Sequence, residues 1–276
     1  MDKIIKDMFP AWVNQKQEGH YTIYGNDVDS AYSNTLIHNL FGYESNAYVD
    51  RNGFYIADTT SKKEYIGIDL AVISKDMKTW DNHVTMLNSN SHVNPNSANI
   101  NSILRITHDS YFKKCALSTA LQMIAYYDLP LPSTIEGKRA LLAIDGAHAG
   151  FYSKKFKNTY ISYMKMLGLD ELLDVLDQSK ESDFKNALPC ESLTFKNSLV
   201  SFPTSEHQEK IEQLLETKLY IPKQEFKLSV KFHNHYLDKS RYKQLKTDIT
   251  RTKAVFSIAA LNKDKISFSQ MTKIHK

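Results

Sequence analysis

Residues 24–33 read YGNDVDSAYS, and the fold turns on how this stretch is understood. An apolar run, Tyr21 to Tyr24, precedes it and has the character of a short strand. Residues 29–41 follow with Tyr32, Leu36, Ile37, Leu40 and Phe41 at helical spacing, Asp29 or Ser30 as the cap and Gly42 as the stop. The stretch is therefore a strand, a turn and a helix, with Asp27 and Asp29 two apart at the turn. One reading is local: short acidic side chains cap helices and close turns by accepting backbone N–H groups. The other is a metal site, because clustered carboxylates repel unless a cation or a proton lies between them. Acids at comparable positions further along would favour the second.

Working outward, short strands are expected at 46–49, 53–57 and 65–70, and helices at 116–127 and 134–144. Residues 88–102, rich in Asn and Ser, read as a loop with a helix start near Ser97. After Phe151 come two amphipathic helices, 158–177 and 205–217, with strands at 193–200, 226–232, 254–261 and 265–269. Strand–helix alternation predicts an α/β fold, with a largely parallel sheet flanked by helices and a smaller C-terminal α+β domain. Ligands of open α/β sheets bind at the carboxyl ends of the strands. Asp27 and Asp29, Asp69, Asp81 (with Asn82 and His83) and Asp145 all fall at or just past the ends of elements.

The 276 residues carry a formal charge of +4 and are 42% hydrophobic, enough for a sizeable core. No apolar run approaches the roughly 20 residues of a membrane span, so no membrane partner is expected. The opening MDKIIKDMFPAW lacks the apolar centre of a secretory signal. With only Cys115 and Cys190, the expectation is a reduced, cytoplasmic protein. Charge is unevenly spread: residues 223–276 hold 13 Lys+Arg against 4 Asp+Glu, net +9, while residues 1–150 hold 13 against 16, net −3. A basic segment beside an acidic body suggests an anionic ligand, nucleic acid being the commonest; a solvated lysine-rich face is the plain alternative.

The acidic stretches resemble, in order, the motifs of the DHH phosphoesterases. YGNDVDSA looks like the family's strand, paired aspartates and helix; YIGIDLAV like its single-aspartate motif; WDNHVT like its Asp-His-His; and LLAIDGAHAGF like its aspartate shortly before a Phe. The resemblance covers residues 20–151 and is closest to the nanoRNase-like members of a superfamily that also holds the RecJ-type exonucleases. It implies a DHH-like catalytic domain over 1–152, a helical linker over 153–192 and a basic substrate-binding domain over 193–276. It also implies one or two Mn²⁺ or Mg²⁺ ions, with Asp27, Asp29, Asp69, Asn82 and Asp145 around them, Asp81 orienting the site and His83 at the substrate phosphate. In the C-terminal part, KAVFSIAALNKDKISFSQ (253–270) resembles the family's paired strands. His233 and His235 of FHNHY alternate and so share a strand face; with Arg241, Lys243, Lys246 and Arg251 they are the candidate substrate contacts.

The chain departs from the family at its histidines. Ile23 and Gly25 stand where the first motif carries its histidine, and Asn82 where the third carries its first. What remains is mostly oxygen donors, which suit Mg²⁺, Mn²⁺ or Ca²⁺ better than Zn²⁺. The expected activity is metal-dependent hydrolysis of a short or cyclic oligonucleotide. The alternative is a DHH-like protein without catalysis that binds nucleic acid, a nucleotide signal or a protein; a second copy of the chain is a further candidate partner.

Overall fold

The computed structural model describes residues 1–243 and 249–272. Elements are numbered along the chain. The chain forms two compact units, each assembled from separate stretches: residues 1–8, 26–40 and 115–223 make the first, and residues 9–25, 41–114 and 224–276 the second. These units interleave along the sequence and do not follow the consecutive ranges 1–152, 153–192 and 193–276.

The second unit is built on a sheet. Its strands are β1 (His20–Tyr24), β2 (Ser45–Asp50), β3 (Gly53–Ile56), β4 (Glu64–Ile68), β5 (Lys78–Trp80), β6 (Ser97–Ala98), β9 (Lys227–Asp238), β10 (Val255–Ala260) and β11 (Lys265–Thr272). Among the described residues these nine form one sheet in the order β10-β11-β9-β3-β2-β1-β4-β5-β6. The half from β2 to β6 is parallel and the half from β2 to β10 antiparallel, giving the mixed α/β fold that the sequence pattern predicts. Parallel neighbours need long crossovers. Between β1 and β2 the crossover is α2 (Val28–Phe41), the helix of the opening stretch, which belongs to the first unit. The short helices α3 (Ile100–Ile103) and α10 (Lys239–Lys243) complete the second unit's named helices.

The strands expected as a C-terminal module form an antiparallel run, β9, β11 and β10, which continues the large sheet through β3. The sheet then curls until its edge meets the segment after β4. Ile258 N donates to Ala71 O at 3.1 Å and Ile73 N to Phe256 O at 3.3 Å, while Ala260 N reaches Val84 O at 2.9 Å. The curl encloses Ile23, Ala47, Val49, Leu70, Val72, Phe232 and Phe256, with Phe54, Tyr65, Met77 and Val230 packed against them. The rings of Phe232 and Phe256 stack at 5.0 Å. Burying such side chains drives the closure, since each withdraws a large apolar area from water.

The first unit is helical, with α1 (Lys3–Lys6), α2, α4 (Thr119–Tyr127), α5 (Ile135–Ala143), α6 (Ala149–Tyr152), α7 (Lys157–Leu167), α8 (Asp170–Asp177) and α9 (Ser205–Leu214), and one hairpin of β7 (Thr194–Lys196) and β8 (Leu199–Ser201). The helix expected over 158–177 is two helices. Gly168, at φ +71°, ends α7 in the left-handed conformation that glycine adopts at no steric cost. The strand expected over 193–200 is likewise a hairpin, folded at Asn197 and Ser198, both with positive φ.

Because Phe256 links the edge strand to the enclosed core, Phe256→Ala is expected to cost about 3–5 kcal/mol, read as a lower urea midpoint at unchanged slope.

Candidate metal centre

In the second unit, β4 and β5 are neighbours with Ile68 opposite Trp80, and β6 follows with Trp80 opposite Ala98. The residues one step past these strand ends are Asp69, Asp81 and Asn99, so the register sets two carboxylates and an amide in a row. Asp69 turns out of β4 with φ 58°, a left-handed conformation that Asp tolerates better than most side chains. Its N–H donates to Trp80 O at 2.9 Å, and Thr79 Oγ1 donates to Leu70 O at 2.7 Å, fixing the turn.

Asp81 is wholly buried. Its Oδ1 accepts from His83 N at 3.2 Å and meets His83 Nδ1 at 2.7 Å, and its Oδ2 accepts from Asn99 Nδ2 at 2.7 Å. Asp69, Asp81 and His83 each offer one donor atom within 4.8 Å of the others, and the three could hold a metal ion. The donor set fits such an ion. Donors at right angles on a metal with bonds of about 2.1 Å sit roughly 3 Å apart, close to the 2.7 Å between His83 Nδ1 and Asp81 Oδ1. Two carboxylates with one imidazole suit Mn²⁺ better than Mg²⁺, which prefers an all-oxygen shell with several waters. Asn82, between the ligand positions, is buried, and its carbonyl accepts from Asn101 Nδ2 at 2.7 Å.

The other predicted acids gather in the first unit. Asp27, Asp29 and Asp145 line a cleft of about 510 Å³ with His148, Phe184, Lys185 and Glu191. Asp27 caps α2, its Oδ1 accepting from Ser30 N at 2.9 Å. Asp29 is buried in the first turn of α2 and accepts from Thr119 N at 2.7 Å and Ala120 N at 2.8 Å, the first N–H groups of α4. Burial, then Asp145 and Asp27, push the Asp29 carboxyl well above the usual carboxylate range, against the pull of those N–H groups. Asp145 follows α5 in a left-handed turn at φ 52°. His148 stacks on Phe184 at 4.4 Å, and burial lowers its pKa.

His233 and His235 lie on one face of β9 with ring centroids 5.4 Å apart, His235 stacking on Phe268 of β11 at 4.5 Å. β9 runs in the same direction as β1 and β4, and α10, with exposed Arg241, follows its carboxyl end. Arg251 donates to Asn90 O at 3.3 Å. Lys246 and the side chain of Lys243 lie outside the described residues. Sequence reasoning passed over Asn99 and Asn101, since an Asn-rich stretch reads as a loop. Their signal was there all the same, as Asn99 begins a helix at cap spacing.

No family model, curated protein or solved structure matches the chain. No helix among the described residues is long and apolar enough to cross a membrane.

Two measurements follow from these clusters. An ion that binds only the folded chain stabilises it by mass action, by about 2.7 kcal/mol at a hundredfold excess over Kd, and so raises its melting temperature. Mn²⁺ is therefore expected to raise the melting temperature of the wild type and to leave Asp69→Asn unshifted in a thermal melt. The second concerns Asp29. Its folded pKa is above its unfolded value, so the folded state favours the protonated form. Its contribution is greatest below the unfolded pKa of about 3.9 and falls as pH rises toward the folded value. Asp29→Asn should flatten that part of the stability–pH curve, measured by urea unfolding across the acid range.

Proposed function

We propose that the protein is a metal-dependent phosphodiesterase of the DHH type, acting in the cytoplasm on short or cyclic oligonucleotides. The observation that carries this reading is the convergence of Asp69, Asp81 and His83 at the carboxyl ends of adjacent parallel strands. A divalent ion held there, Mn²⁺ before Mg²⁺, would supply a more acidic water and positive charge against a phosphate under attack. Asp69 and Asp81 supply the negative charge that retains the ion. His83, about one third exposed and with Nδ1 2.7 Å from Asp81 Oδ1, would complete the ligand set on the side open to solvent. The order of the acidic motifs and their resemblance to the DHH phosphoesterases support the same chemistry.

The substrate class rests on charge. The net +9 of residues 223–276 favours a ligand with several phosphates, and Arg241 of this segment is exposed. Phosphate contacts release counterions, so binding of such a ligand weakens as salt rises.

With Mn²⁺ present, the purified chain is expected to hydrolyse a generic phosphodiester and a dinucleotide. His83→Ala should lower turnover on the order of 10²-fold or more, and Asp69→Ala should abolish it, both followed by product release on chromatography. Full turnover in His83→Ala would remove the histidine from the mechanism. Metal-dependent binding of a dinucleotide without any hydrolysis would favour the non-catalytic binding protein, a reading that Asn82, Ile23 and Gly25 at the family's histidine positions also favours.

A further inference from the structure

Asn99 occupies the third place in the row of strand ends, beside the two carboxylates, and is completely buried. Its amide nitrogen donates to Asp81 Oδ2 at 2.7 Å and to His83 O at 2.7 Å. Its oxygen accepts from Asn101 N at 2.8 Å and Ser102 N at 3.3 Å, capping α3. Two donors and both lone pairs of the acceptor are thus in use. The amide cannot be turned over, because its NH₂ would then face the two helix N–H groups and its oxygen the Asp81 carboxylate. The start of α3 therefore dictates that a hydrogen-bond donor points at Asp81.

Resting on the reading of Asp69, Asp81 and His83 as a metal centre, we propose that Asn99 is a positioning residue that makes Asp81 a one-oxygen ligand and so sets the ion preference of the site against Ca²⁺. With Oδ2 tied to the amide, Oδ1, which faces His83, would be the oxygen offered to an ion. A carboxylate limited to one oxygen suits the compact octahedral shell of Mn²⁺ or Mg²⁺. Ca²⁺ takes six to eight oxygens and commonly draws both from one carboxylate. The second amide bond, to the His83 carbonyl, ties the two ligand positions on the 81–83 turn to the same side chain. Loss of an outer partner of this kind typically lowers metal affinity 10–100-fold.

The test compares wild type, Asn99→Ser and Asn99→Asp in the full chain, titrated calorimetrically with MnCl₂ and CaCl₂, with Mn²⁺ binding also followed by electron paramagnetic resonance. Both substitutions keep a good cap for α3, and a melt without metal checks the fold. Serine is too short to reach Asp81 while capping, and aspartate presents an acceptor there in place of a donor. The expected result is Mn²⁺ affinity lower by about 10–100-fold in Asn99→Ser, Ca²⁺ affinity lowered less, and a reduced preference for Mn²⁺ over Ca²⁺ in both variants. If one variant fails to fold, the other decides. Unchanged affinities, or equal losses for both ions, would overturn the proposal while leaving the metal centre intact. A wild type that binds neither ion would overturn the metal centre itself, and the proposal with it.

Discussion

The hydrogen bonds from β10 to the loops after β4 and β5 hold the second unit together. Ile258 and Ala260 reach the carbonyls of Ala71 and Val84, two residues beyond Asp69 and one beyond His83. A sheet edge left open exposes unpaired N–H and C=O groups. Here closing the edge and fixing the ligand-bearing turns are one act. The enclosed Phe232–Phe256 stack supplies the apolar driving force, and the polar turns are thereby held at the mouth of a closed core.

Both acidic clusters meet the same constraint, the cost of burying like charges, in different ways. In the first unit Asp29 is stabilised by two helix N–H groups and by holding a proton more readily than an exposed aspartate. In the second, Asp81 is met by the imidazole and backbone of His83 and by the Asn99 amide. A proton offsets charge only over a range of pH, whereas fixed amide donors do so at every pH.

Much of this was legible in the sequence because it is local. The β1–turn–α2 stretch, the placement of Asp69 and Asp81 past strand ends, and the shared face of His233 and His235 all follow from spacing over a few residues. What escaped was either non-local or masked by composition. Nothing near residues 227–238 indicates that β9 pairs with β3. The Gly168 break was lost inside a continuous amphipathic pattern. Asn99 and Asn101 lay in an Asn- and Ser-rich stretch read as a loop with a helix start near Ser97, yet both are wholly buried and bond the 81–83 turn. Asparagine is common in loops and in buried polar networks, and composition alone does not separate the two.

The interleaving of the units has a consequence during synthesis. Strand β3, paired with β2 on one side, finds its second partner only when β9 appears, and Lys231 pairs with Gly53, 178 positions earlier (231 − 53). At about 5–20 residues per second, an elongating chain carries the β3 edge unpaired for roughly 10–35 s. The apolar residues that β9 and β10 later cover remain open for longer. The parallel strands at the other edge and the helices of the first unit have all emerged by then. A nascent chain of this protein thus presents a hydrophobic sheet edge to its surroundings for much of its time on the ribosome, and that edge is where a chaperone would bind or a neighbouring chain would add a strand.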